Sequence, residues 1–426
     1  MPTDPSRQTS NVRWMICGLL FFATTVNYVD RQVLSILKPT LQKEFGWSET
    51  NYGWIVFGFQ FAYALVMPLA GRLIDRIGTR LGYTIAVVVW SLASVSHALA
   101  SGFWSFTIAR FALGAGEAGN FPTAIKTVAD WFPQKERSFA TGIFNSGSNV
   151  GVIVAALAVP ALTLHYGWRA AFIVTGGVGL LWVVPWLIWF RKPAEHPWIS
   201  KSELAHIQSG GPVEAATKIS TREILKYGAA RAFIIGKFMT DPVWWFYLTW
   251  IPGFFNTQYN VNLVNIGLPL IVIYLMADVG SIGGGWLFAG MVSRGWTPNR
   301  SRKVAMLICA TLALPVMFVY YVGSIWPAVI LIGLAAAAHQ GWSANLFTMA
   351  SDAFPRRAVG SVVGIGGLAG AIGGMILQPA VGKWLDFSGK SYGPIFVIAG
   401  TMYLVALLLI HLIVPKLELL NLGENE

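Results

Sequence analysis

"DWFPQKERSFATGI" (130–143) and "DAFPRRAVGSVVGI" (352–365) share Asp-x-Phe-Pro at the front and Gly-Ile at the back, at one offset of 222. Gly119 and Gly341 keep that offset, as do Gly151 and Gly373. The chain is therefore read as two related halves. Asp-x-Phe-Pro ends a helix, because proline cannot continue it and the residue before proline avoids the helical region. Two pseudo-symmetric six-helix bundles imply a substrate site between the halves near the bilayer midplane, with alternating access by rocking.

The composition says what the helices are for. Hydrophobic residues make up 55% of the chain and charged residues 12%, where a soluble domain carries roughly 25% charge. Apolar runs long enough to span a bilayer recur, at roughly 13–36, 51–71, 81–100, 103–129, 139–164, 169–190, 232–258, 263–291, 304–322, 325–350, 358–382 and 392–414. The fold class is an all-α membrane protein with twelve transmembrane helices. The first run lacks a small-residue cleavage site and reads as a retained helix rather than a signal peptide. Residues 1–190 form an N-terminal bundle, 191–231 a cytoplasmic linker and 232–426 a C-terminal bundle.

The net charge of +11 is a topology signal. With both termini on one side, 21 of the 30 Lys and Arg residues fall on that side and 5 on the other. Arg31, Arg110, Lys126 and Lys237 lie within spans. The bias obeys the positive-inside rule and makes both termini cytoplasmic. The basic balance thus requires no nucleic acid. Cys17 and Cys309 fall in apolar segments and suggest neither a disulfide framework nor a metal site. In the linker, Ser200 and Glu203 form a capping box that starts a short interfacial helix, and "SGGP" (209–212) breaks it.

"GRLIDRIGTR" (71–80) follows the second span. It resembles the loop signature of the major facilitator superfamily, filled here by Gly71, Leu73, Asp75, Arg76, Gly78 and Arg80. The glycines permit close packing and a tight turn. Asp75, Arg76 and Arg80 suit a gating latch of charges between helices. The related stretch "GGWLFAGMVSRG" (284–295) has Ala289 where the aspartate would be, so a second latch is not expected there. "NYVDRQVLS", "ARFALGAGEAGNFP" and "HQGWSANLFTMASDAFPRRAVGSVVGIGG" look like the anion:cation symporter family, and within it the bacterial hexuronate and galactonate transporters. The likeness covers nearly the whole chain. It implies that Arg31 and Arg110 meet a substrate carboxylate and that Asp30 and Glu117 carry coupled protons.

The residues themselves point the same way. Ionisable groups inside a membrane are costly and are functional candidates by default. Arg110 and Glu117 stand seven apart, two turns and about 10 Å along one helix face. Arg110 keeps its proton and can grip a carboxylate with two bonds. Glu117 lies in "GAGEAGN", whose small residues let another helix approach. Asp30 and Arg31 are adjacent, so they point about 100° apart on a helix. Arg31 is expected to face substrate and Asp30 a neighbouring helix.

The repeat offset carries Glu117 onto His339, a titratable or hydrogen-bonding group in a polar patch, or a packing residue. Further candidates for substrate contact are Asn27, Tyr63, Ser148, Asn149, Tyr247, Ser343 and Asn345, with Tyr63 also implied by the family. Lys237 and Asp241 read as a helical ion pair, and Asp278 as a mid-span acid of open role. Pro242 and Pro252 interrupt the seventh span. "GIGGLAGAIGG" (364–374) is a close-packing face and not a phosphate loop.

The resulting expectation is proton-coupled uptake of an anionic sugar acid, such as a hexuronate or galactonate, by a monomer in the bacterial inner membrane. No metal or organic cofactor is expected, and the partners are the anionic carbohydrate, protons and lipid. Other cargoes remain open: an aromatic or dicarboxylic acid, or phosphate, with sodium coupling or none. A non-transporting membrane sensor is a remote reading. The chain has no zinc motif, nucleophile elbow or Walker loop, so it is not read as an enzyme.

Overall fold

The computed structural model describes residues 10–209, 221–354 and 356–417. Within them every regular element is helical. The helices run α1 Val12–Phe45, α2 Glu49–Ile77, α3 Thr79–Ser96, α4 Phe103–Glu117, α5 Asn120–Trp131, α6 Gln134–Tyr166, α7 Trp168–Trp189 and α8 Lys201–Gln208. They continue as α9 Thr221–Ile224, α10 Gly228–Tyr259, α11 Gly267–Ser293, α12 Pro298–Ala313, α13 Ile325–Ala353, α14 Arg356–Phe387 and α15 Gly393–Ile413.

Ten of the helical stretches among the described residues are long and apolar enough to cross a membrane. The expected fourth span is split into α4 and α5. Pro122 explains the break: it has no N–H for the carbonyl of Ala118, and its ring clashes there. α10 is long enough but carries Arg231, Lys237 and Asp241. After α12 the chain tightens into a 3-10 helix, Leu314–Tyr321, at Pro315.

The chain divides into two compact units. One comprises the chain up to Thr40 and from Gly58 into the linker; the other comprises Leu41–Phe57 and the chain beyond the linker. In the first, α3 packs on α4 and α7. In the second, α10 packs on α14 and α11 on α13.

Both Asp-x-Phe-Pro stretches stop a helix. Phe132 and Phe354 leave α5 and α13 in extended conformation, with φ −125° and −117°. Pro355 itself lies outside the described residues. The repeat glycines also behave alike. A Cβ on Gly151 of α6 would stand 2.4 Å from the Thr25 carbonyl oxygen of α1. One on Gly373 of α14 would stand 2.5 Å from the Phe238 oxygen of α10. Each half thus has one helix pressed backbone to backbone on its first span.

The glycine-rich stretch of α14 is the packing face expected of it. Gly366, Gly370, Gly373 and Gly374 meet Phe233, Asp241, Phe238 and Trp245 of α10. Gly364 and Gly367, on other faces, have open space. α10, in contrast, is not interrupted: Pro242 and Pro252 both sit inside one continuous helix.

The linker shows a second correction. Ser200 Oγ caps α8 by accepting the Glu203 N–H at 3.1 Å. Glu203 does not return the bond. Ser200 N–H donates to Ser10 Oγ at 2.7 Å, and the buried Glu203 carboxylate accepts the Val12 and Arg13 N–H groups, both at 3.1 Å. Those donors are orphans of the α1 N-terminus, so α8 is tied to α1 by a carboxylate on a helix end. The "SGGP" break lies, beyond Ser209, outside the described residues.

Candidate functional site

α1 and α4 bring an acid and two bases together in the first unit. Arg31 and Glu117 are buried. Arg31 Nε and Nη2 donate to the same oxygen, Glu117 Oε2, at 3.0 and 2.6 Å. Arg31 Nη2 also reaches Asn27 Oδ1 at 3.3 Å, one turn back on α1. Arg110 Nη2 donates to the Arg31 carbonyl at 3.2 Å. Glu117 Oε1 and Asn27 Nδ2 make no hydrogen bond among the described residues.

The guanidinium of Arg31 is also caged by aromatic rings. It lies 4.5, 5.0 and 5.4 Å from the ring centroids of Tyr28, Phe59 and Tyr63, within cation–π range.

Close backbone approach makes this geometry possible. Gly114 lies against Phe59 of α2, where a Cβ would stand 2.2 Å from the carbonyl oxygen. Gly116 lies against Trp90 of α3, where it would stand 2.6 Å from the backbone nitrogen. The small residues around Glu117 draw three helices together about the acid.

Asp30 points away from Arg31. It is fully buried and accepts a hydrogen bond from Ser94 Oγ of α3 at 2.8 Å. Three residues beyond Ser94, buried His97 stacks its ring on Phe172 of α7 at 4.8 Å. Ser94, Tyr28 and Phe59 were not picked out from the sequence. Tyr28 had a signal, lying between Asn27 and Asp30 in the quoted stretch; Ser94 had none in an ordinary "SLASVS" run.

Ser148 and Asn149 lie on α6, half-buried and buried respectively. Ser148 Oγ donates to the Asn145 carbonyl at 2.7 Å.

In the second unit, His339 Nδ1 and Tyr403 Oη lie 2.8 Å apart, and the Trp244 indole lies flat on the imidazole with centroids 5.1 Å apart. Tyr247 is buried and Ser343 half-buried. Asn345 is fully engaged. Its Nδ2 donates to the carbonyls of Gly284 and Gly341 at 3.0 and 2.9 Å, and its Oδ1 accepts from Arg302 at 3.2 Å. That amide ties α13 to α11 and α12. Lys237 and Asp241 form an ion pair at 2.7 Å, with the ammonium 4.3 Å from the Phe347 ring centroid.

The loop signature takes an unexpected form. Gly78 makes the α2–α3 turn at φ +85°, a conformation that favours glycine. Gly71 packs on nothing; the close approach is at Gly82, against Ile74. Asp75 pairs with Lys126 of α5 at 2.6 Å, and Arg80 donates to the Leu187 carbonyl. The second half carries a charge link away from Ala289: Arg302 of α12 pairs with Asp352, the aspartate of the second Asp-x-Phe-Pro stretch. Arg302 stands 222 residues after Arg80, so the repeat holds two arginines with different partners.

Among the described residues no cluster of His, Cys, Asp or Glu has metal-binding geometry.

Residues 20–377 match the model of the Major Facilitator Superfamily. The chain is 30% identical over 430 aligned positions to the hexuronate transporter of Escherichia coli, covering 99% of both chains. It is 29% identical to a D-galactonate transporter of Escherichia coli, covering 95% of this chain and 96% of that one. Among solved structures, a D-xylose-proton symporter superposes with TM-score 0.75 at 17% identity, covering 96% of this chain and 99% of that one. Its two-part, all-helical fold is that of these transporters, and the chain belongs to the major facilitator superfamily.

Proposed function

We propose that the protein is a secondary active transporter that couples inward proton movement to uptake of a sugar acid carrying one carboxylate. The observation that carries this reading is the buried Arg31–Glu117 pair with Arg110 bonded to the main chain of Arg31. A guanidinium held by a carboxylate is a site where substrate and proton can exchange places. Protonation of Glu117 removes the charge that occupies Arg31, and a substrate carboxylate takes that role with better bidentate geometry. Release of the proton restores the internal pair and expels the anion. The two affinities are then linked reciprocally, as coupled transport requires. Asp30 is the second proton carrier in this scheme, on another face of α1.

The named transporters of hexuronate and galactonate, alike over nearly the full chain, support a sugar acid as cargo. In the first unit Asn27 and Tyr63 offer polar groups for its hydroxyls. The protein is placed in the bacterial inner membrane as a monomer, with both termini cytoplasmic.

The test is uptake of radiolabelled glucuronate, galacturonate and galactonate into proteoliposomes, with and without an inward proton gradient. Gradient-driven accumulation of one of them, lost in Glu117→Gln while exchange persists, is the expected result. Uptake indifferent to the gradient would remove proton coupling. No uptake of any of the three by folded protein would remove the sugar acid.

A further inference from the structure

The first unit contains a groove that the transport scheme does not use. It has a volume of about 510 Å³ and runs between α2, α3 and α4. Its floor is built of small residues, among them Gly82, Ala86, Gly116 and Gly119. Gly82, Gly116 and Gly119 explain how the floor closes: a Cβ on Gly119 would stand 2.8 Å from that of Ala86. The walls are large and apolar. Leu69, Leu73, Ile85 and Val89 all line the groove and are exposed. Both α2 and α3 are long and apolar enough to cross a membrane, and exposed apolar walls on such helices suit hydrocarbon.

The charged lining is of one sign. Arg72 and Arg76, one turn apart on α2, are the groove's charged lining residues. The nearby acid that would neutralise them, Asp75, is engaged by Lys126 at 2.6 Å. Both arginines are exposed. An apolar slot with a pair of guanidiniums that have no acid partner among the described residues, at the end nearest the α2–α3 turn, has the polarity of one lipid class. We propose that the groove is a binding site for an anionic phospholipid, with an acyl chain along Leu69, Leu73, Ile85 and Val89 and its phosphate against Arg72 and Arg76. Guanidiniums bind phosphate through paired hydrogen bonds, and a net-negative headgroup gains over a zwitterionic one from their charge. The volume lies within the range of about 300–1,000 Å³ usual for small-molecule sites.

The test uses full-length protein purified from bilayers of equal phosphatidylglycerol and phosphatidylcholine with matched chains. Native mass spectrometry counts the lipid retained. Wild type is expected to keep phosphatidylglycerol about fivefold over phosphatidylcholine. Arg72→Gln should lose the preference while still retaining lipid, and Val89→Trp, which fills the groove from an exposed wall, should lose the retained lipid. Ile85→Trp serves if Val89→Trp fails to fold. A photo-reactive side chain at position 89 should form an adduct of phospholipid mass. Equal retention of the two lipids, or unchanged retention in both tryptophan variants, overturns the proposal. So does a crosslink from position 89 to another stretch of the protein, which would make the groove a seat for the chain itself.

Discussion

Arg31 and Glu117 meet through two guanidinium nitrogens on one carboxylate oxygen, at 3.0 and 2.6 Å, which leaves Glu117 Oε1 without a hydrogen bond among the described residues. The pair is buried and joins α1 to α4. Removing one partner of such a pair strands the other charge, at a cost of about 3–5 kcal/mol. Arg31→Gln and Glu117→Gln should each lower the melting temperature, and the double variant should lose less than the sum of the two single losses. A double-mutant cycle in detergent measures this; additive losses would mean that the pair is not coupled.

The same logic applies to Lys237 and Asp241, 2.7 Å apart in α10. Lys237 is the more buried of the two, with 7% of its side chain exposed against 18% for Asp241. Lys237→Met should therefore leave a carboxylate with some access to water, and Asp241→Asn an ammonium with less. The expected order of destabilisation is Asp241→Asn above Lys237→Met, by thermal unfolding, and the reverse order would contradict the burial.

Gly151 and Gly373 are predicted to reject even a methyl group. At each, the nearest atom is a backbone carbonyl oxygen at 2.4 or 2.5 Å, which cannot swing aside as a side chain can. Gly151→Ala and Gly373→Ala should cost about 1–3 kcal/mol through forced helix separation. Gly364→Ala, facing open space, should be neutral or gain roughly 0.5–1 kcal/mol from helix propensity. Melting temperatures of the three variants separate close packing from propensity.

His196 gives the linker a pH dependence. It lies outside the spans, and burial holds its imidazole below the ordinary value of 6.5, with the Arg191 charge adding to the effect. Its Nδ1 accepts the Trp198 N–H at 3.2 Å and its Nε2 lies 2.9 Å from the Trp189 carbonyl, the pattern of a neutral ring. The unfolded turn takes up a proton before the folded one does. Stability of the turn is therefore full above pH about 6.5 and falls as pH drops below it. The protection factor of the Trp198 amide, its exchange rate corrected for the intrinsic pH dependence, should fall through that window in wild type and stay flat in His196→Gln.

The sequence by itself determined the helical character of the chain and where several helices stop. These follow from local physics: Pro133 marks the end of α5, a glycine suits φ +85° at Gly78, and a long apolar run needs lipid, although Pro242 and Pro252 show that a packed helix can also carry proline through. It also determined that Asp30 and Arg31 diverge, since neighbours on a helix must. Only the tertiary structure decided whom each group meets. Ser94 found Asp30, Lys126 found Asp75, and Glu203 capped α1 rather than its own helix. Asn345, polar and mid-span, is consumed by packing, while Tyr28 and Phe59 close a cage around Arg31. Partner choice depends on the rotation of one helix against another, which is set by contacts summed over many residues far apart in sequence. A local pattern fixes which face of a helix a side chain occupies, and the packed neighbour fixes what that face touches.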